Sequence, residues 1–146
     1  MPNNILFSFS DDGDESSPYD SIIVQAINGA TTYLDIDDKE ISVSLVDADE
    51  IQALNNRFRG KDKPTNVLSF PNAGTFLGDI VLCVDVIENE AREQGKSLED
   101  HLTHLVVHSI LHLIGYDHMN EADAEEMEAL EIAILDSVFK IKNPYL

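Results

Sequence analysis

Three histidines, His108, His112 and His118, fall within eleven positions around one glycine in the segment HSILHLIGYDHMN, residues 108–120. The first two are four apart, so on a helix both imidazoles leave the same face with Cβ atoms about 5–6 Å from each other. One zinc ion, with Zn–N bonds of about 2.0–2.1 Å, can be held by such a pair. A third ligand from the next helical turn would crowd the first two, so the chain must leave the helix and fold back. Gly115 permits that turn, and His118 is placed to arrive from it. Three histidines leave one tetrahedral position for water, as in catalytic rather than structural zinc sites, and zinc lowers the pKa of that water towards neutrality.

His101 and His104 lie on the same helical stripe. The plain alternative for any one of them is a buried, hydrogen-bonded core histidine. Four on one stripe and a fifth past a glycine favour a metal site. The set His108, His112 and His118 is preferred over one containing His104, because Leu105, Val107, Leu111 and Leu113 surround it with apolar side chains. In the ligand histidines and the glycine the segment matches the long metzincin peptidase motif. It departs at Ser109, where that motif has the glutamate that activates water. A serine hydroxyl near neutral pH is no general base, which argues against peptidase chemistry by that route.

The apolar run that carries the histidines must be a helix. Ser97 stands at its expected N-cap with Asp100 three residues on, a capping-box pattern that predicts a helix over about 98–114, ended by Gly115. Upstream, the pattern predicts a strand near 4–9, a polar loop over 11–18 and a helix near 19–33. A strand over 41–46 follows, then a helix through IQALNNRF capped by Asp49 and ending at Arg59 and Gly60. NVLSF (66–70) and GDIVLCV (78–84) read as two further strands, and a helix over 86–94 stops at Gly95. The final segment, EADAEEMEALEIAILDSVF, pairs an apolar face of Met127, Leu130, Ile134 and Val138 with acids that read as a solvated face rather than a metal cage. Strands interleaved with helices indicate an α/β (α+β) fold: a small four-stranded mixed sheet packed with helices.

The chain has 146 residues, which suits one domain spanning 1–146. Its 28 acidic and 9 basic side chains give a formal charge of −19, so an evenly charged surface would repel nucleic acid and anionic membrane. The charge is not even, because Arg57, Arg59, Lys61 and Lys63 put four of the nine basic residues into RFRGKDK. A polyanionic partner would be met there; the alternative is a solvated loop balanced by its own Asp62. The N-terminal segment lacks the basic start of a secretory signal, and no apolar run approaches the roughly 20 residues of a membrane span. The one cysteine, Cys83, lies in the apolar run DIVLCVDV and reads as a buried, inert thiol. A cytoplasmic location is the expectation.

The segment HSILHLIGYDH resembles the hallmark of the YbeY family, bacterial metal-dependent endoribonucleases of ribosomal RNA maturation. LNNRFRGKDKPTNVLSFP resembles that family's second motif and LGDIVL, residues 77–82, its third. The blocks keep their order, and the similarity covers most of the chain from about 40 to 120. The resemblance implies a single α/β domain with a zincin-like, metal-bearing central helix. It makes His108, His112 and His118 the zinc ligands, with nickel or another divalent metal as the alternative ion. Arg59 would be the family's required arginine, Arg59 and His112 the catalytic residues, and Arg57, Arg59, Lys61 and Lys63 the substrate-binding set. Asn66 departs from the aspartate common in the family at that position.

The implied activity is zinc-dependent cleavage of single-stranded RNA, as in 16S ribosomal RNA 3′-end processing and ribosome quality control. Its expected partners are ribosomal RNA and the small ribosomal subunit with its assembly proteins, with neither membrane nor DNA. The rival readings are a zincin-like metallopeptidase, suggested by the histidine spacing, and a non-catalytic ribosome-assembly factor stabilised by metal, suggested by the acidic surface.

Overall fold

Strands β1 (Leu6–Ser10), β2 (Glu40–Leu45), β3 (Val67–Pro71) and β4 (Phe76–Leu82) form one sheet in the order β1-β2-β4-β3. The computed structural model describes residues 6–10, 18–116 and 120–145. β1 and β4 both run parallel to β2, whereas β3 returns antiparallel to β4 as a hairpin. The parallel pairs need crossovers. Helix α1 (Asp20–Tyr33) lies between β1 and β2, and α2 (Ala48–Arg59) follows β2. Three more helices follow among the described residues: α3 (Val84–Gln94), α4 (Leu98–Leu113) and α5 (Glu121–Phe139).

The sheet is covered on both faces, and the period-two alternation of β4 sorts its side chains between them. Ile80 and Leu82 join the larger core, with Ile23 and Ile27 of α1 and Leu102, Val106 and Ile110 of α4. Val81, with Cys83 just after the strand, joins Ile51 of α2 and Leu68 of β3 in a smaller cluster. Each fully buried Ile or Leu contributes about 1.5–3 kcal/mol through removal from water. Cys83 is wholly buried, and that desolvation raises its thiol pKa, as an inert role requires.

Helix α4 is the central element. Its N-cap Ser97 accepts a hydrogen bond from the Asp100 amide at 3.0 Å, the expected cap. From His101 to Leu113 every residue is buried except His108 and His112. Beyond its solvent-exposed first turn, the helix thus opens to solvent only at the two histidines four apart.

Gly78 sets how closely β3 and α4 approach. Its φ is +147°, and a Cβ there would stand 2.4 Å from the Phe70 carbonyl oxygen and 2.7 Å from Leu113 Cδ2. Only glycine lets the end of α4 sit against this hairpin.

Several local expectations shift. The cap of α2 is Asp47, not Asp49: its carboxylate accepts from the Glu50 amide at 2.8 Å. Asp47 is the last extended residue, and Asp49 already lies within the first helical turn. β4 begins at Phe76, and α3 at Val84. The left-handed residue Gly115 (φ +106°) stands one position beyond the C-cap, Ile114. In α5, Val138 is exposed despite its place on the apolar stripe, and Glu131 is buried, so the acids of this helix are not all on a solvated face. Residues 11–17 of the expected loop lie outside the described residues.

Candidate metal centre and cleft

A cleft of about 740 Å³ runs between the end of α2, strand β3 and the histidine face of α4. Arg59, His108 and His112 all line it, although 49 and 53 positions separate the arginine from the two histidines. Arg57, Lys61 and Lys63 are exposed and do not line it. The basic loop is nonetheless held in place. The Asn55 amide donates to the Lys63 carbonyl at 3.0 Å, and the Gln52 amide to the Asp62 carboxylate at 3.1 Å. Asp62 therefore serves as a tether to α2.

The two part-buried histidines of α4 are oriented by acceptors behind them. His112 Nδ1 lies 3.1 Å from the Tyr116 carbonyl oxygen, in the turn that Gly115 starts. His108 Nδ1 lies 3.1 Å from Oε2 of Glu131 on α5. A carbonyl only accepts, and so does an ionised carboxylate, so Nδ1 is the donor of each ring and Nε2 is the atom whose lone pair can be offered to a metal. The two Nε2 atoms face each other at 3.0 Å. Two nitrogen lone pairs so close repel unless a cation or proton lies between them. About 3.3 Å is the separation of two ligands on one tetrahedral zinc with bonds near 2.0–2.1 Å, so the pair fits such an ion. Backing of ligand histidines by a carboxylate and a carbonyl is the usual support of such centres.

Glu131 is 1% exposed. Burial by itself would raise its pKa, but hydrogen bonds from His104 and His108 outweigh it and hold the carboxyl at about 2. It is therefore an anion inside the core. His104 Nε2 donates to Oε1, and the Tyr145 hydroxyl donates to the same oxygen at 2.9 Å. This leaves His104 no Nε2 lone pair for a metal. Burial and the charge of Glu131 raise the pKa of Tyr145, which keeps the hydroxyl a donor.

His101 belongs to a separate network. Its Nε2 lies 3.0 Å from Glu90 Oε1, which also accepts from the Asn66 amide at 3.0 Å. Asn66 lines the cleft with its amide nitrogen turned to Glu90. Ser109 is fully buried and absent from the cleft lining, so the position of the peptidase glutamate faces the core. His118 and Asp117 lie outside the described residues. Among the described residues no group of three His, Cys, Asp or Glu side chains is arranged to hold a metal ion. The pair His108 and His112 is the described part of the candidate centre.

Glu131 and Tyr145 were not singled out from the sequence. Glu131 had a signal: it stands four residues after Met127 and three before Ile134, on the apolar stripe of α5. A carboxylate at such a position is buried and must be paired. Tyr145 had none, because it arrives from the tail beyond α5.

The model of the family described as Endoribonuclease YbeY matches residues 8–138. The chain is 40% identical to the Endoribonuclease YbeY of Francisella tularensis subsp. tularensis strain FSC 198, over 99% of this chain and 91% of that protein. It is equally similar to that of F. tularensis subsp. mediasiatica strain FSC147, over 99% of this chain and 94% of the other. The solution structure of TM1509 from Thermotoga maritima superposes with a TM-score of 0.64 at 32% identity, covering 93% of this chain and 89% of that one. By its sequence over nearly the whole length, the chain belongs to the YbeY family of endoribonucleases.

Proposed function

We propose that this endoribonuclease is zinc-dependent and cuts single-stranded ribosomal RNA, in the maturation of the 16S RNA 3′ end. The observation that carries the reading is the shared cleft: two histidines with converging Nε2 atoms and the guanidinium-bearing Arg59 line one opening. His108, His112 and His118 would hold the ion. When bound, it supplies Lewis-acid polarisation of a phosphate oxygen.

The chain's own residues do the rest. Arg59 offers a planar fork of donors to the same phosphate, a bidentate geometry that a lysine cannot reproduce. Glu131 and the Tyr116 carbonyl keep the Nδ1 protons of His108 and His112 in place, so neither ring can rotate without losing a hydrogen bond. The Tyr145 hydroxyl keeps a third donor on the buried carboxylate.

The charge of −19 bears on recruitment, since phosphate contacts dominate affinity for RNA. We therefore place the substrate on the small ribosomal subunit, with its assembly proteins helping to deliver the chain, in the cytoplasm. No helix among the described residues is long and apolar enough to cross a membrane. The peptidase alternative is disfavoured by Ser109, which is buried away from the cleft.

Elemental analysis and RNA cleavage, measured together, test the reading. His112→Ala and His118→Ala lose both zinc and cleavage, whereas Arg59→Glu keeps zinc and loses cleavage. Equal cleavage by all of these proteins and the wild type would sink the proposal.

A further inference from the structure

Four large apolar side chains stand exposed on the described surface: Tyr33, Phe58, Val138 and Tyr145. Two of them, Phe58 and Tyr145, line the cleft that holds the histidine pair. Phe58 is 55% exposed, the highest value of the four. It occupies the last turn of α2, immediately before Arg59.

An exposed phenylalanine usually swings freely, but this ring is held. Phe70 of β3 meets it with centroids 5.1 Å apart and planes at 66°, an edge-to-face contact. The Arg57 guanidinium lies 5.2 Å from the ring centroid. A fixed aromatic ring, half in solvent, thus lines the cleft, with the Arg57 guanidinium beside it and Arg59 the next residue in the chain.

We infer that Phe58 is a stacking platform for an unpaired base of the RNA strand whose phosphate Arg59 holds. The inference rests on the endoribonuclease reading above and adds the group that recognises the strand as single. Every base has a π face, whereas bases in a duplex are already stacked, so an exposed aromatic beside cationic side chains selects unpaired strand without selecting sequence. The charge supports this occupant: four of the chain's nine basic residues lie within five positions of Phe58, on a molecule otherwise strongly acidic. An apolar protein segment would gain nothing from that cluster. Arg57, its guanidinium beside the ring, adds a second positive charge near the stacked nucleotide.

The sequence contains no tryptophan, so Phe58→Trp introduces the sole indole. In the zinc-loaded full chain, its fluorescence is expected to be quenched by a short single-stranded RNA and not by the same strand with its bases removed. Phe58→Leu is expected to raise KM for that RNA by roughly 5- to 150-fold, the range of one lost base–aromatic stack. Its kcat should stay within about twofold of wild type and its zinc content unchanged, while Phe58→Trp restores KM.

Unchanged KM in Phe58→Leu, on RNA that the wild type cleaves, overturns the inference and leaves the surface to a protein contact. Equal quenching by the base-free strand overturns it as well. Should the wild type cleave no RNA, the function proposed above fails, and the fluorescence titration still decides the base contact: quenching that needs bases supports it, and none refutes it.

Discussion

Oε2 of Glu131, on α5, lies 3.1 Å from Nδ1 of His108, on α4, and the carboxylate is almost completely buried. One anion thereby links the cleft-facing imidazole to His104 and Tyr145 and ties the last helix to the central one. The charge tolerates burial because three donors converge on it.

Glu131→Gln is therefore expected to weaken zinc binding by roughly 10- to 100-fold, as loss of a carboxylate behind a ligand histidine does. Competition with a chromophoric chelator reads this directly, without an activity assay. The exposed Glu125→Gln on the same helix should leave the affinity unchanged. Equal zinc affinity in the wild type and Glu131→Gln would show that the carboxylate does not support the site.

The same residue predicts an acid limb in the stability of the metal-free protein. Its carboxyl stands at about 2 when folded, below its ordinary value of 4.5. The ionised form therefore stabilises the fold, fully above pH 4.5 and less and less as pH falls to about 2. The Tm difference between the wild type and Glu131→Gln should be widest near neutral pH and close across that window. A difference constant with pH would contradict the assignment.

Gly78→Ala should destabilise the fold by roughly 2–4 kcal/mol, from overpacking together with a strained backbone. The new methyl would meet the Phe70 carbonyl oxygen and Leu113, which must move apart. Leu113 adjoins His112, so zinc affinity is expected to fall as well. Denaturant unfolding checks the first effect and chelator competition the second; wild-type values in both would refute the close approach.

What could be read without coordinates was local. A histidine pair four apart, a serine cap three residues before an aspartate and a strand that alternates at period two all act through neighbours in the chain. Ser97, the β2 pattern and the run of α4 accordingly needed no tertiary context. The burial of α5 was only partly legible, because its acids look alike until another helix covers one of them. Glu131 is that one, and its partners come from α4, 23 and 27 residues earlier. The choice of Arg59 over Arg57, Lys61 and Lys63 as the cation lining the cleft likewise depends on where α2 ends against β3. Spacing along the chain dictates which side chains share a helical face, but which face meets a cleft, an anion or water depends on packing between distant segments.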